Sequence, residues 1–326
     1  MQDGEILRKI HLIELLKEEN EDARLDPGPE ALSWTLSEIK AYFSGFPTTF
    51  TPTFDRFFPS ANKFISRSPK LLLFAFPSSG NAEDMFTSEG TGPRRKPSPL
   101  LDYARAHEVL LLSTQYPGRG ARRNDDEPIT SARAMACAIF DVVRTNGLLA
   151  FNIPLAIIAH SVGCWVGYEF LRLCQQYRTT RHPLVAIMCG MPPPDISTTE
   201  RPWTPNRGLD DTAFRKEVAA WGANKELFGS LWSIYEPILR ADYTMFDEYP
   251  GATEPLTCPI VAMWGDGDTR ITEQMVHGWS RFGGSFELIR CQGPHMWPIH
   301  TEFKTPWLRS CVQVLERAMD TTITKT

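Results

Sequence analysis

One short run in the chain combines residue types and spacing suited to acyl chemistry: Leu155-Ala-Ile-Ile-Ala-His-Ser-Val-Gly163. An apolar, strand-like segment leads into Ala159-His160-Ser161-Val162-Gly163, and a helix-like segment follows. A serine held in a sharp strand-to-helix turn presents its Oγ at a sheet edge and at the positive end of a helix, where a developing anion is stabilised. The residues two before and two after it must be small so that strand and helix can approach, and Ala159 and Gly163 meet that need. Similar five-residue runs arise by chance, so the flanking elements carry much of the weight.

A serine nucleophile needs a base, and the base needs an acid to orient it. Downstream, Trp264-Gly-Asp-Gly-Asp-Thr269 closes one strand-like run and Gly293-Pro-His-Met296 follows the next. Of the seven histidines, His295 alone sits in a Gly/Pro loop directly after a strand-like run, and it is the expected base. His160 is expected to point away from Ser161 and to serve structure. His107, His182, His277 and His300 lack such a placement, and His11 lies in the N-terminal segment. Asp268 is the first candidate for the acid, Asp195 after Met191-Pro-Pro-Pro the alternative, and Asp266 the third. Glu169 reads as a surface or packing residue. An oxyanion hole would take the N–H of Val162 and that of Ser78, in the turn Phe76-Pro-Ser-Ser-Gly80, since Pro77 has no N–H to give. Taken alone, that turn is an ordinary Pro-Ser-Ser-Gly turn.

These residues need a scaffold, and the pattern supplies one. Strands are expected at Leu71–Phe76, Glu108–Thr114, Leu155–Ala159, Leu184–Gly190, Pro259–Trp264 and Phe286–Cys291. Helices are expected at Ser131–Thr145, Val162–Gln176, Thr272–Phe282 and Phe303–Ala318. Most strand runs are continuously apolar, as in a parallel sheet covered on both faces. Right-handed crossovers then bring the strand C-termini, and with them Ser161, Asp268 and His295, to one edge. Residues Ser197–Tyr249 form a long, apolar, mostly helical insertion, either a lid over a greasy site or a second packed layer. Thr87–Pro99 is a Gly/Pro/basic loop, and Phe46–Ser60 reads as an extended connection.

The chain has 326 residues, 42% hydrophobic and 22% charged, an ordinary globular balance with enough length for a full core. Its apolar runs fall far short of the ~20 residues of a membrane span, and its acidic start is unlike a signal or transit peptide, so a cytoplasmic location is expected. The net charge of −5 argues against a nucleic-acid partner. Residues 1–50 hold ten acids and five bases, so all of the excess lies there. That segment reads as an N-terminal helical extension, one helix over 5–17 with Ile6, Ile10 and Ile13 on a stripe, then a break at Asp26-Pro-Gly-Pro29, then a helix over 30–43. It either packs on the body at 51–326 or docks a partner. The seven scattered cysteines show no CxxC spacing and read as buried free thiols; no metal or bound cofactor is expected.

From about Phe57 to Met319 the sequence resembles the type II thioesterases of polyketide and nonribosomal peptide synthases, and the related medium-chain acyl-carrier-protein hydrolase of fatty acid synthesis. The matching segments are Leu73-Phe-Ala-Phe-Pro-Ser-Ser-Gly80, Gln115-Tyr-Pro-Gly-Arg-Gly120, His160-Ser-Val-Gly163, Leu239-Arg-Ala-Asp-Tyr243 with Phe246-Asp-Glu-Tyr249, Cys258-Pro-Ile260 with Gly265-Asp-Gly-Asp268, and Gly293-Pro-His295. The resemblance implies an α/β-hydrolase fold with a helical lid at about 197–249 and a Ser161–Asp268–His295 triad. It favours Asp268 over Asp195. It also implies a substrate carried as a thioester on the phosphopantetheine arm of an acyl or peptidyl carrier protein. The chain departs from the family pattern in having Ala159 before His-Ser and Ser78-Ser79-Gly80-Asn81 in the oxyanion turn. Arg94-Arg-Lys96 and Arg119, Arg122 and Arg123 are candidates to meet an acidic carrier, or are solvated loops. The competing readings are a carboxylesterase or lipase acting on oxygen esters, and a non-catalytic hydrolase-fold binding protein.

Overall fold

The computed structural model describes residues 2–19, 31–61, 69–123, 127–177 and 183–323, apart from residues 33, 44, 48, 91 and 152. The break expected at Asp26–Pro29, and His182, lie outside the described residues. In chain order the helices are α1 (Gln2–Glu19), α2 (Leu36–Phe43), α3 (Pro52–Phe57), α4 (Asp84–Thr87), α5 (Pro99–Ala106), α6 (Ala132–Thr145), α7 (Val162–Gln176), α8 (Asp211–Ala220), α9 (Trp232–Asp247), α10 (Glu273–His277) and α11 (Thr301–Ile323). The strands are β1 (Leu71–Phe76), β2 (Ser88–Glu89), β3 (Lys96–Pro97), β4 (Val109–Ser113), β5 (Leu155–His160), β6 (Val185–Cys189), β7 (Ile260–Gly265) and β8 (Phe286–Cys291).

Six strands form one sheet in the order β4-β1-β5-β6-β7-β8, with every pair parallel. The continuous apolar runs are continuous because both faces are covered. In β1, Leu71, Leu73 and Ala75 pack with α5 and α11, whereas Leu72, Phe74 and Phe76 pack with α6 and α7. Only the edge strand β8 stays half-buried over most of its length. From β1 the chain steps to β4 on one side, then returns to place β5 on the other. The strand order therefore reverses between β1 and β5, and the crevice beyond their C-termini is where an open α/β sheet takes its ligand.

Several local expectations change. Phe46–Ser60 is not extended throughout: Pro52–Phe57 is a helix, with Pro at its first turn and Thr51 Oγ1 accepting the Phe54 N–H at 3.3 Å. Proline fits a first helical turn, where its missing N–H costs nothing. Pro99 likewise starts α5, capped by Ser98. The helix expected over 272–282 breaks into α10 and a 3₁₀ turn at Gly278–Arg281. On α1 the residues that pack are Leu12, Ile13 and Leu16, against a cluster with Trp34, Ile39, Tyr42 and Phe43, while Ile6 and Ile10 lie exposed. Tyr42 stacks on Phe151 of the main body and Phe46 meets the same ring edge-on, at 5.7 and 5.2 Å between ring centroids.

Candidate active site

Ser161 follows β5 directly and precedes the first residue of α7. Its backbone is strained, with φ 54° and ψ −129°, a conformation that non-glycine residues rarely adopt. The turn is this tight because strand and helix pack without a gap. A Cβ on Gly163 would lie 2.3 Å from the Phe76 carbonyl oxygen. Ala159, in the position of the first small residue, is completely buried.

His295 reaches Ser161 from the loop after β8, with Nε2 3.1 Å from Ser161 Oγ. Its Nδ1 lies 2.7 Å from Asp268 Oδ2. Asp268 Oδ1 accepts the N–H groups of Arg270 and Ile271, each at 2.9 Å, so the carboxylate is held on both oxygens. A carboxylate at Nδ1 keeps the ring proton there and leaves Nε2 free to accept from the serine. The two loops that carry acid and base are stitched together: Gly293 N–H donates to Asp266 Oδ1 at 3.1 Å, and Gly267 N–H to the Gly293 carbonyl at 3.0 Å.

The other candidates fall elsewhere. Asp195 pairs with Arg281 at 2.6 Å instead of with the histidine. Asp266 braces the histidine loop, as described. Glu169 is a packing residue, buried and bonded to the Tyr249 hydroxyl at 2.5 Å and to Arg133 at 3.2 Å. His160 turns away from Ser161, and its Nε2 donates to the His295 carbonyl oxygen at 3.0 Å. Burial holds its imidazole well below the usual histidine range, so it stays neutral.

Ser78 lies in the turn after β1, beside β5, with Phe76 in register with Ala159. It lines one cavity together with Ser161, His295 and Met191. The insertion roofs that cavity: Val218 and Trp221 come from α8 and its end, and Leu239, Tyr243 and Phe246 from α9. Trp221 stands edge-on to His295, 4.6 Å between ring centroids. The free space is about 40 Å³, room for a water or two.

Trp221 belongs to the apolar insertion expected as a lid or a packed layer, but nothing local singles it out, since only the fold brings it over His295. Arg119 and Arg122 need correction as docking residues: both are buried, Arg119 against Asp242 and Arg122 over the Phe57 ring at 4.0 Å. Arg95 and Lys96 pair with this chain's own Asp84 and Glu89.

Residues 99–305 match the family model described as Thioesterase domain, a span well over half the chain that takes in Ser161, Asp268 and His295. Among curated proteins, the chain is 25% identical over 265 residues to Gramicidin S biosynthesis protein GrsT of Aneurinibacillus migulanus, covering 78% of this chain and 93% of that one. It is 31% identical over 201 residues to Thioesterase PikA5 of Streptomyces venezuelae, covering 58% and 66%. Among solved structures, RedJ, a thioesterase from the prodiginine pathway of Streptomyces coelicolor, superposes with a TM-score of 0.64 at 23% identity, over 76% of this chain and 86% of that one. That likeness speaks for the fold, an α/β-hydrolase sheet with helices on both faces. The chain belongs to the thioesterase domain family, and is by that membership a hydrolase of thioesters.

Proposed function

We propose that this protein is a serine thioesterase that cleaves acyl or peptidyl thioesters from the phosphopantetheine arm of a carrier protein, editing or releasing chains in polyketide, nonribosomal peptide or fatty acid synthesis. The observation that carries the reading is the unbroken hydrogen-bonded chain Ser161–His295–Asp268 at the sheet's switch point. The names of the relatives, a gramicidin S biosynthesis protein and the thioesterase PikA5, support the biosynthetic setting.

In this mechanism, Ser161 Oγ adds to the thioester carbonyl carbon while its proton passes to His295 Nε2. The carbonyl electron pair moves to oxygen, which the N–H groups of Val162 and Ser78 hold. Collapse breaks the C–S bond, and the thiol departs with the proton from Nε2. Water then attacks the acyl ester, giving a proton to Nε2; collapse frees the carboxylic acid and returns the proton to Ser161 Oγ. Asp268 keeps the ring oriented and stabilises its charged form. No step calls on a cofactor or metal. Trp221, Phe246 and their neighbours line the cavity beside Ser161, so in this reading the roof acts as a lid that shapes the acyl site.

The test is a panel of acyl-carrier-protein thioesters, acyl-CoA thioesters and p-nitrophenyl esters, each with wild type and Ser161→Ala. Turnover that depends on both the carrier and Ser161 supports the proposal. Turnover confined to oxygen esters rejects it in favour of an esterase.

A further inference from the structure

Arg119 and Asp242 form an ion pair buried to within 4% and 1% exposure, and the mechanism above gives it no part. It is a fork-to-fork pair, Arg119 Nη1 to Asp242 Oδ2 at 2.6 Å and Nη2 to Oδ1 at 2.5 Å. Two apolar residues of similar size often fill such a place at equal or better stability. The pair therefore calls for a role besides holding the fold, and its remaining bonds show where to look.

Asp242 Oδ2 also accepts the Gly80 N–H, at 2.7 Å. Arg119 Nη1 also donates to the Asn81 carbonyl oxygen, at 3.2 Å. Gly80 and Asn81 close the turn that begins at Ser78, through the Asn81 N–H to the Ser78 carbonyl at 3.1 Å and Asn81 Nδ2 to Ser78 Oγ at 2.9 Å. Gly80 takes φ +72°, and a Cβ there would strike Leu239 of α9 at 2.9 Å. On its other side the same segment is pressed by α7, through Gly163 against the Phe76 and Pro77 carbonyls. The turn is thus gripped between the nucleophile helix and the roof helix, and a charged acceptor fixes its middle N–H. A charge-assisted bond is shorter and more directional than a neutral one.

We propose that Asp242 and Arg119 are positioning residues for the oxyanion turn: they set the Ser78 N–H where the carbonyl oxygen of the substrate becomes charged. The proposal rests on the serine thioesterase reading above. Neither residue touches substrate; they act through Gly80 and Asn81. Their effect falls on the transition state, so kcat and not KM reports it.

The test uses three variants of the full chain. The paired change Arg119→Met with Asp242→Leu removes both buried charges together and with them the acceptor for Gly80. Arg119→Lys keeps the charge balance and loosens the fork. Asp242→Asn keeps an oxygen for the Gly80 N–H. Each is assayed for kcat and KM on hexanoyl N-acetylcysteamine thioester, for affinity toward a hexyl trifluoromethyl ketone whose adduct with Ser161 carries the oxyanion, and for thermal midpoint. The paired variant is expected to fold, to keep KM within a few-fold, and to lose kcat and ketone affinity together by about 100-fold. Arg119→Lys is expected to lose both by about 10-fold, and Asp242→Asn by about 3-fold. A folded paired variant with wild-type kcat, or a loss of kcat without a matching loss of ketone affinity, overturns the proposal. If the paired variant does not fold, Arg119→Lys decides by the same criterion. Ser161→Ala in the same assay separates the two readings: if it retains turnover the hydrolase mechanism itself is wrong, whereas a required Ser161 beside unaffected pair variants rejects only the positioning role.

Discussion

The sheet edge and the helical roof meet over Ser161, yet they are held in different ways. At the edge, Asp268, His295 and Ser161 are fixed by short hydrogen bonds among themselves and to backbone N–H groups, on loops stitched to each other. The roof is aromatic: Trp203 packs on Trp221 and Phe246 with centroids 5.7 and 5.2 Å apart. Charged ties fasten that roof at its ends. Arg270 bridges Glu217 of α8 at 2.7 Å while its own N–H holds Asp268, and Arg201 donates to the carbonyls of Phe246, Asp247 and Tyr249. Directional bonds tolerate almost no displacement, whereas apolar packing accepts changes of shape at modest cost. On the proposed mechanism, the edge would decide whether chemistry occurs and the roof what fits.

Breaking the edge should have the largest effect. Ser161→Ala is expected to lower kcat for thioester hydrolysis by about 10⁴-fold or more with the fold intact, measured by thiol release and circular dichroism. Asp268→Asn should cost about 10³- to 10⁴-fold, because an amide at that place favours the wrong imidazole tautomer. Asp195→Asn, at a surface ion pair, should change kcat less than about 2-fold, and a larger loss there would move the acid role away from Asp268.

Changes in the roof should alter preference before rate. Trp221→Ala opens the space over His295 and should raise kcat/KM for a decanoyl over a propionyl thioester by about 10-fold relative to wild type, read from competition between the two. An unchanged ratio would mean that the acyl chain lies elsewhere.

The smallest effect concerns stability. Burial pushes the Asp247 carboxyl, at the end of α9, up to about 6 from its usual 3.8. The folded state binds that proton more tightly, so its contribution is full below the unfolded value and is lost as pH rises through the folded one. Asp247→Asn keeps an oxygen for the two Asn206 bonds. It should raise the thermal midpoint by about 2 °C or more at pH 8 and not at pH 4, followed by calorimetry across that range.

Much of the edge was readable from sequence, and little of the roof. β1 and β8 run over the expected segments Leu71–Phe76 and Phe286–Cys291, and α7 over Val162–Gln176, because apolar runs and a small-residue turn are local signals. The loop after β8 singles out His295 for the same reason, whereas the loop after β7 offers both Asp266 and Asp268 and leaves Asp195 open, so the preference for Asp268 leans on the resemblance. α3 and α5 are not legible in the same way, because Pro52 falls in a run that reads as extended and Pro99 in one that reads as loop, although proline also starts helices. The burial of Arg119 depends on a partner 123 positions away. A trace of it is legible all the same: Asp242 lies at helical spacing from Leu239, Met245 and Phe246, on a side of the helix where an acid needs a buried partner. Trp221 over His295 leaves no such trace, because only the closed fold brings α8 above β8.

The central claim is that Ser161 carries the acyl group between the two half-reactions. Mixing the protein with hexanoyl N-acetylcysteamine thioester, quenching in acid within the first turnovers, and measuring intact mass followed by peptide mapping tests it directly. The account predicts a hexanoyl adduct on the peptide containing Ser161 and none on Ser161→Ala. Steady turnover by Ser161→Ala with no adduct anywhere on the wild-type chain would contradict it.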